Sequence, residues 1–136
     1  MLFRSLGANY TRYADDIAFS GDEVFSERAR TLLHVATEIV ESEGFVVNAR
    51  KTRLMRRGAR QQVTGIVVND HLNVPRPSYD ALKAVLHNCA RHGPAAQNRD
   101  GVPDFRAHLD GRVAWVEAVN PSRGAKLRRI FEAIAW

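Results

Sequence analysis

Cysteine is almost missing: Cys89 stands alone among 136 residues, which excludes an internal disulfide and suits a reducing compartment. Five histidines, at 34, 71, 87, 92 and 108, share no zinc-ligand spacing with it, so a zinc site is discarded. No apolar run approaches the ~20 residues that a membrane span needs. Met1 to Arg4 is too short and polar a start for a secretory signal. The expected setting is therefore the cytoplasm, with no membrane partner. Internal repeats and low-complexity tracts are absent too. What remains has the composition of a soluble globular protein, 45% hydrophobic and 26% charged, at a length that fits one domain plus a small appendage.

The charge balance leans one way. The net charge of +5 points towards a polyanionic partner. Residues 1–75 hold 10 basic and 9 acidic side chains, and residues 76–136 hold 10 and 6, so the excess lies in the second part. Within the first part, Arg50, Lys51, Arg53, Arg56, Arg57 and Arg60 form a run free of acids. A run of this kind is commonly a solvated face.

Tyr10 to Ser20, YTRYADDIAFS, reads as a β-hairpin in which Thr11 to Ala14 ascends, Asp15 and Asp16 make the turn, and Ile17 to Ser20 descends. Two readings of the aspartates stand side by side. Aspartate favours turns because its side chain bonds nearby amides, and a rigid hairpin can also hold paired carboxylates for a hard divalent cation. After a loop from Gly21 to Phe25, Ser26 is the expected N-cap of a helix carrying Ala29, Leu32, Leu33, Ala36, Ile39 and Val40 on one face, stopped by Gly44. That stripe should lie across a sheet. Phe45 to Val47 and Thr52 to Met55 read as short extended segments, and Gln61 to Asn69 as one strand with Gly65 inside it. A turn at Asn69 to Leu72 would return the chain through Val74 as a second hairpin.

Pro75 and Pro77 mark a boundary. Beyond them the apolar spacing predicts three helices, one through Tyr79 to Cys89, one through Phe105 to Val116 that tolerates Gly111, and one through Leu127 to Ile134 that runs to the C-terminus. Asn120-Pro121-Ser122 separates the last two. The fold class is α+β: an antiparallel sheet with one covering helix over residues 1–75, then a small helical domain over residues 76–136.

YADD in a hairpin, then GFxxNxxKT from Gly44 to Thr52, then QxVTG from Gln61 to Gly65, together resemble three successive palm motifs of bacterial reverse transcriptases. The tail from Phe105 to Leu127, FxxxLxGRxxWVxxxNPxRGxKL, looks like the thumb of the retron and retron-like branch. The resemblance covers the chain from about residue 8 onward. It implies an RNA-directed DNA polymerase, a nucleotidyltransferase, with residues 1–75 the C-terminal half of the palm and 76–136 the thumb. Asp15 and Asp16 would be the metal pair, Asp15 serving both ions, in a reaction that uses two Mg²⁺ roughly 4 Å apart. Lys51 would lie near the incoming triphosphate; its other reading is a surface lysine of the basic run. Gln61, Val63, Thr64 and Gly65 would grip the primer terminus, with Gly65 allowing close backbone approach; Thr64 also reads as an ordinary strand threonine. Arg112, Arg123, Lys126, Arg128 and Arg129 would face the template–primer backbone, or engage in salt bridges. Trp115 and Trp136 would stack on bases or pack within the helices.

The resemblance also sets limits. Only nine residues precede Tyr10, where the family places fingers and the first palm half, with a further metal-binding aspartate. The chain is thus expected to be a fragment, a truncated product or half of a split enzyme, inactive alone. Its open strand edges would seek the missing region or a second copy. RNA template and primer are the implied partners, along with a cognate non-coding RNA and a role in defence against phage. A non-catalytic module that binds RNA or RNA–DNA duplex is the competing reading. A small metal-dependent hydrolase is a third, and lacks a histidine or further acids in a recognisable arrangement.

Overall fold

The computed structural model describes residues 7–136, and the start at Met1 to Arg4 lies outside the described residues. The elements run β1 (Asn9–Tyr13), β2 (Asp16–Ser20), α1 (Glu23–Ser42), β3 (Gln62–Val63), β4 (Ile66–Val67), α2 (Arg76–His92), α3 (Phe105–Val119) and α4 (Pro121–Glu132). Among the described residues the class is α+β with four helices, as expected, but the strands form two two-stranded antiparallel ribbons instead of one sheet. Contacts divide the chain into two units, one up to Thr64 and one from Gly65 to Trp136.

In the first unit, β1 and β2 pair in register from Asn9 opposite Ser20 to Tyr13 opposite Asp16. The turn is therefore Ala14–Asp15, and Asp16 is the first residue of β2, not part of the turn. α1 begins earlier than its apolar spacing suggests, because Asp22, not Ser26, is the cap. The Asp22 Oδ1 accepts from the Phe25 amide (3.0 Å), satisfying a helix-end donor. At the other end, Gly44 takes φ +83°, the Gly44 amide donates to Glu41 O (3.0 Å) and the Phe45 amide to Val40 O (3.2 Å). That pair of bonds is a Schellman closure, which needs a left-handed residue and so selects glycine. The α1 stripe is only partly covered. Leu32 is buried and Ile39 is 44% exposed.

Phe45 to Val47 and Thr52 to Met55 find no strand partner and remain irregular. Gln61 to Asn69 is not one strand: Thr64 and Gly65 adopt φ +47° and +87°, and the ladder reverses there. Two successive left-handed residues are what a two-residue hairpin turn requires. The second expected reversal also exists, reduced to one bridge in which Val67 and Asn73 exchange backbone hydrogen bonds of 2.8 and 3.0 Å.

The second unit holds the main core. Val74, Leu82, Leu86, Cys89, Leu109, Val113, Val116, Val119, Leu127, Phe131 and Ile134 are all buried in it. Burial pushes the Cys89 thiol pKa up, which keeps it neutral and inert. Asp104 caps α3 through the Ala107 amide (2.9 Å). Asn120 ends α3 and caps α4, its Oδ1 accepting from the Arg123 amide (3.1 Å), with Pro121 in the first turn. α4 ends at Glu132, short of the C-terminus, and Trp136 folds back against Phe131 (centroids 5.1 Å apart).

α4 touches its two neighbours through different faces. Arg123 stacks over Tyr79 of α2 (5.0 Å). Arg128 makes a bidentate pair with Glu117 of α3 (3.1 and 2.7 Å) and a further bond to Asp110. Between them, buried Gly124 lies against Glu117: a Cβ added there would fall 2.6 Å from the Glu117 amide nitrogen and closer still to its Cα. Alanine would gain about 1 kcal/mol of helix propensity, but the obstructing atoms are backbone and cannot turn aside.

Gly124→Ala should destabilise the helical unit by about 1–3 kcal/mol net, read by urea denaturation; an unchanged midpoint would show the crossing to be loose. The Arg128 hydrogen bonds hold the Glu117 carboxyl below its ordinary pKa. Its contribution is therefore complete above the unfolded carboxylate range and is lost as pH falls through the lowered folded value. Glu117→Gln should flatten the acid limb of a melting-temperature-against-pH curve. Thr64→Asn, which suits the left-handed turn better than a β-branched residue, should stabilise by about 1 kcal/mol; a loss of stability would mean the threonine side chain is needed where it stands.

Candidate metal and nucleic-acid site

The β1–β2 hairpin is built to present carboxylates. Tyr10 and Phe19, directly opposite, pack with centroids 5.6 Å apart and stiffen the ribbon. Ala14 takes φ +50°, a conformation that costs a residue with a Cβ about 1–2 kcal/mol. Arg12 holds that turn, its Nε donating to the Ala14 carbonyl (2.8 Å). Asp15 and Asp16 follow at once, both exposed. They are hard oxygen donors of the kind that magnesium takes. Among the described residues no group of three His, Cys, Asp or Glu could enclose a metal ion. The pair is chemically suited to a divalent cation, but it is only part of a ligand set.

Lys51 is exposed on another loop of the same unit. Asn48 shapes that loop, its Oδ1 accepting from the Arg50 amide (3.1 Å) and its carbonyl from the amides of Lys51 and Thr52 (3.0 Å each). No hydrogen bond or ion pair joins Lys51 to Asp15 or Asp16.

Gln61, Val63, Thr64 and Gly65 do come together in the β3–β4 hairpin. The Gln61 Nε2 donates to the Met55 carbonyl (3.1 Å), tying the hairpin to the preceding loop. A Cβ at Gly65 would meet nothing within 4 Å, so within the chain the glycine is required by its φ and not by a crowding neighbour.

The helical cations divide by role. Arg128 is engaged with Glu117 and Asp110, and Arg123 lies on Tyr79. Lys126 and Arg129, three residues apart, are exposed on the outward side of α4, opposite buried Leu127 and Phe131. Arg112 and Trp115 have the same spacing on α3, where Trp115 is 51% exposed and outside the core. Arg12 is the residue that reading the sequence missed. Its one signal was a place two residues before the turn, and a side chain-to-carbonyl bond has no sequence pattern.

No protein-family profile matches the chain, and no solved structure matches it. Curated relatives do. It is 46% identical over 129 residues to the retron Mx65 reverse transcriptase of Myxococcus xanthus, covering 94% of this chain and 28% of that protein. To the retron Mx162 reverse transcriptase of the same organism it is 36% identical over 137 aligned positions, covering 90% and 27%. With the retron Ec86 reverse transcriptase of Escherichia coli it shares 34% over 86 residues, covering 62% and 26%. The chain thus spans about a quarter of the length of the relatives it matches, in their C-terminal part. Over nearly its whole length the chain is a homologue of the C-terminal part of the retron reverse transcriptases.

Proposed function

We propose that this chain is the second palm half and the thumb of an RNA-directed DNA polymerase. The observation that carries the reading is the adjacent carboxylate pair on a stiffened hairpin, within a stretch that aligns over 94% of the chain with a retron reverse transcriptase. Asp15 and Asp16 would hold divalent magnesium. When bound, such ions supply activation of a primer hydroxyl and charge neutralisation at the leaving pyrophosphate. Arg12 and the left-handed Ala14 fix the turn, so the carboxylates approach the metal without reorganising. In this reading Lys51 would be the cation that meets the triphosphate, and the β3–β4 hairpin would bear on the primer end.

In the helical unit, Lys126 and Arg129 on α4 and Arg112 on α3 contact the phosphates of an RNA template with its primer, which positions a duplex without reading its sequence. Trp115 is exposed beside Arg112 and supports stacking on a base. Arg123 and Arg128 shape the surface from within. Polymerisation draws further ligands from other parts of a full-length polymerase, since two carboxylates leave a magnesium ion under-coordinated. Tyr13, Phe45 and Val46, exposed on the first unit, are apolar surface suited to packing against those parts. A cognate non-coding RNA, and action in defence against phage, accompany this reading.

The competing reading, a duplex-binding module without catalysis, is favoured by the absence of a third metal ligand among the described residues. Manganese titration followed by NMR separates the two. The polymerase reading expects paramagnetic broadening centred on residues 14–17 and abolished by Asp15→Asn. Duplex binding with no metal-dependent broadening at the turn would favour the binding module. Primer extension by this chain alone, lost on Asp15→Ala, would overturn the need for further ligands.

A further inference from the structure

The acid-free run from Arg50 to Arg60 has no part in the metal site beyond Lys51, and its setting is unusual. Its six cations occupy eleven residues, while the rest of residues 1–75 holds four basic and nine acidic side chains. Among the described residues, no ion pair or hydrogen bond engages the side chains of Arg50, Lys51, Arg53, Arg56 or Arg60. All five are exposed. The acids of α1 are close in sequence, and none of them pairs with these five.

The loop is also held at both ends. At its start, Asn48 gathers the amides of Arg50, Lys51 and Thr52, and the Thr52 hydroxyl donates to the same carbonyl (3.0 Å). Near its end, the Met55 carbonyl accepts from Gln61 Nε2 (3.1 Å) and the Met55 Sδ from the Gln62 amide (3.3 Å). A turn closed by the Ala59 amide on Arg56 O (2.9 Å) sets the Arg56–Arg57 pair between these anchors. Arg50, Arg53, Arg56 and Arg60, exposed on a fastened loop, stay hydrated and available to a polyanion.

We propose that residues 50–60 form a phosphate-tracking surface for RNA, in addition to the cations of α3 and α4. The inference rests on the polymerase reading for the identity of the nucleic acid. An RNA backbone fits better than an anionic membrane, because the loop is irregular and has no amphipathic helix to bury in a headgroup layer. It fits better than a sequence-specific contact, because no groove-entering helix or strand carries the arginines. A repeating polyanion uses closely spaced cations additively, by counterion release, whereas a single phosphate would engage one or two.

The test uses the whole chain and an RNA duplex with a single-stranded overhang, with affinity measured across a salt series. Arg50→Gln, Arg53→Gln and Arg56→Gln together should lower the slope of log K against log salt by about 2–3 and weaken binding about tenfold or more, equally for unrelated RNA sequences. The matching triple lysine variant should retain both slope and affinity, which separates charge from folding. Lys126→Gln with Arg129→Gln is the comparison. If that pair lowers the slope and the loop variant does not, the loop inference falls and the polymerase reading stands. If the unaltered chain binds no RNA at low salt, the polymerase reading falls with it. Binding to phosphatidylserine vesicles in place of RNA would overturn the inference in favour of a membrane surface.

Discussion

The helical unit depends on one close crossing. α3 and α4 meet where buried Gly124 lies against the backbone of Glu117, and the Glu117 carboxylate then reaches over to Arg128. Backbone contact and charge pair use the same residue, so the approach is both permitted and oriented there. A side chain at 124 would part the helices, and Leu127, Phe131 and Leu109 would lose the packing that excludes water. Arg128 is one-quarter exposed and Glu117 one-third, so their pair is partly screened and serves geometry more than raw stability. Arg123 on Tyr79 performs the corresponding task towards α2.

That arrangement sorts chemically identical residues into different roles. Arginines 123 and 128 are turned inward by their neighbours, while Lys126 and Arg129, in the same motif-rich segment, remain on the outer face. The first unit is organised differently. Among its described residues only Ala8 and Leu32 are buried, and Val46 is 91% exposed. Its order comes from local devices: a paired ribbon, an Asp22 cap, a Schellman closure and the Asn48 turn. Such devices fix loops and tips well without requiring a large core, and the carboxylates and the basic loop are both placed by them.

Much of this was legible in the residues. Four helices and their order followed from apolar spacing, with the last two parted at Asn120-Pro121-Ser122. The hairpin at YADD followed from alternation. The errors were local. Ser26 looked like a cap because apolar periodicity begins after it, yet Asp22 has the geometry to accept from Phe25 and starts α1 earlier. Gln61 to Asn69 looked like one strand because β-branched residues dominate it, and periodicity is blind to two consecutive left-handed φ values.

The sequence by itself determined the α+β class, the helices and the carboxylate pair in a hairpin, because spacing, capping and turn preferences act over a few residues. Its ordered motifs also carried the resemblance to the polymerase family. Tertiary structure decided what no spacing encodes. It split the strands into two ribbons, moved Asp16 from the turn into β2, and brought Arg12 onto the Ala14 carbonyl. It left Arg50, Arg53, Arg56 and Arg60 without acidic partners and gave Arg128 two of them. Those outcomes depend on which side chains meet across the fold, and only the folded chain establishes that.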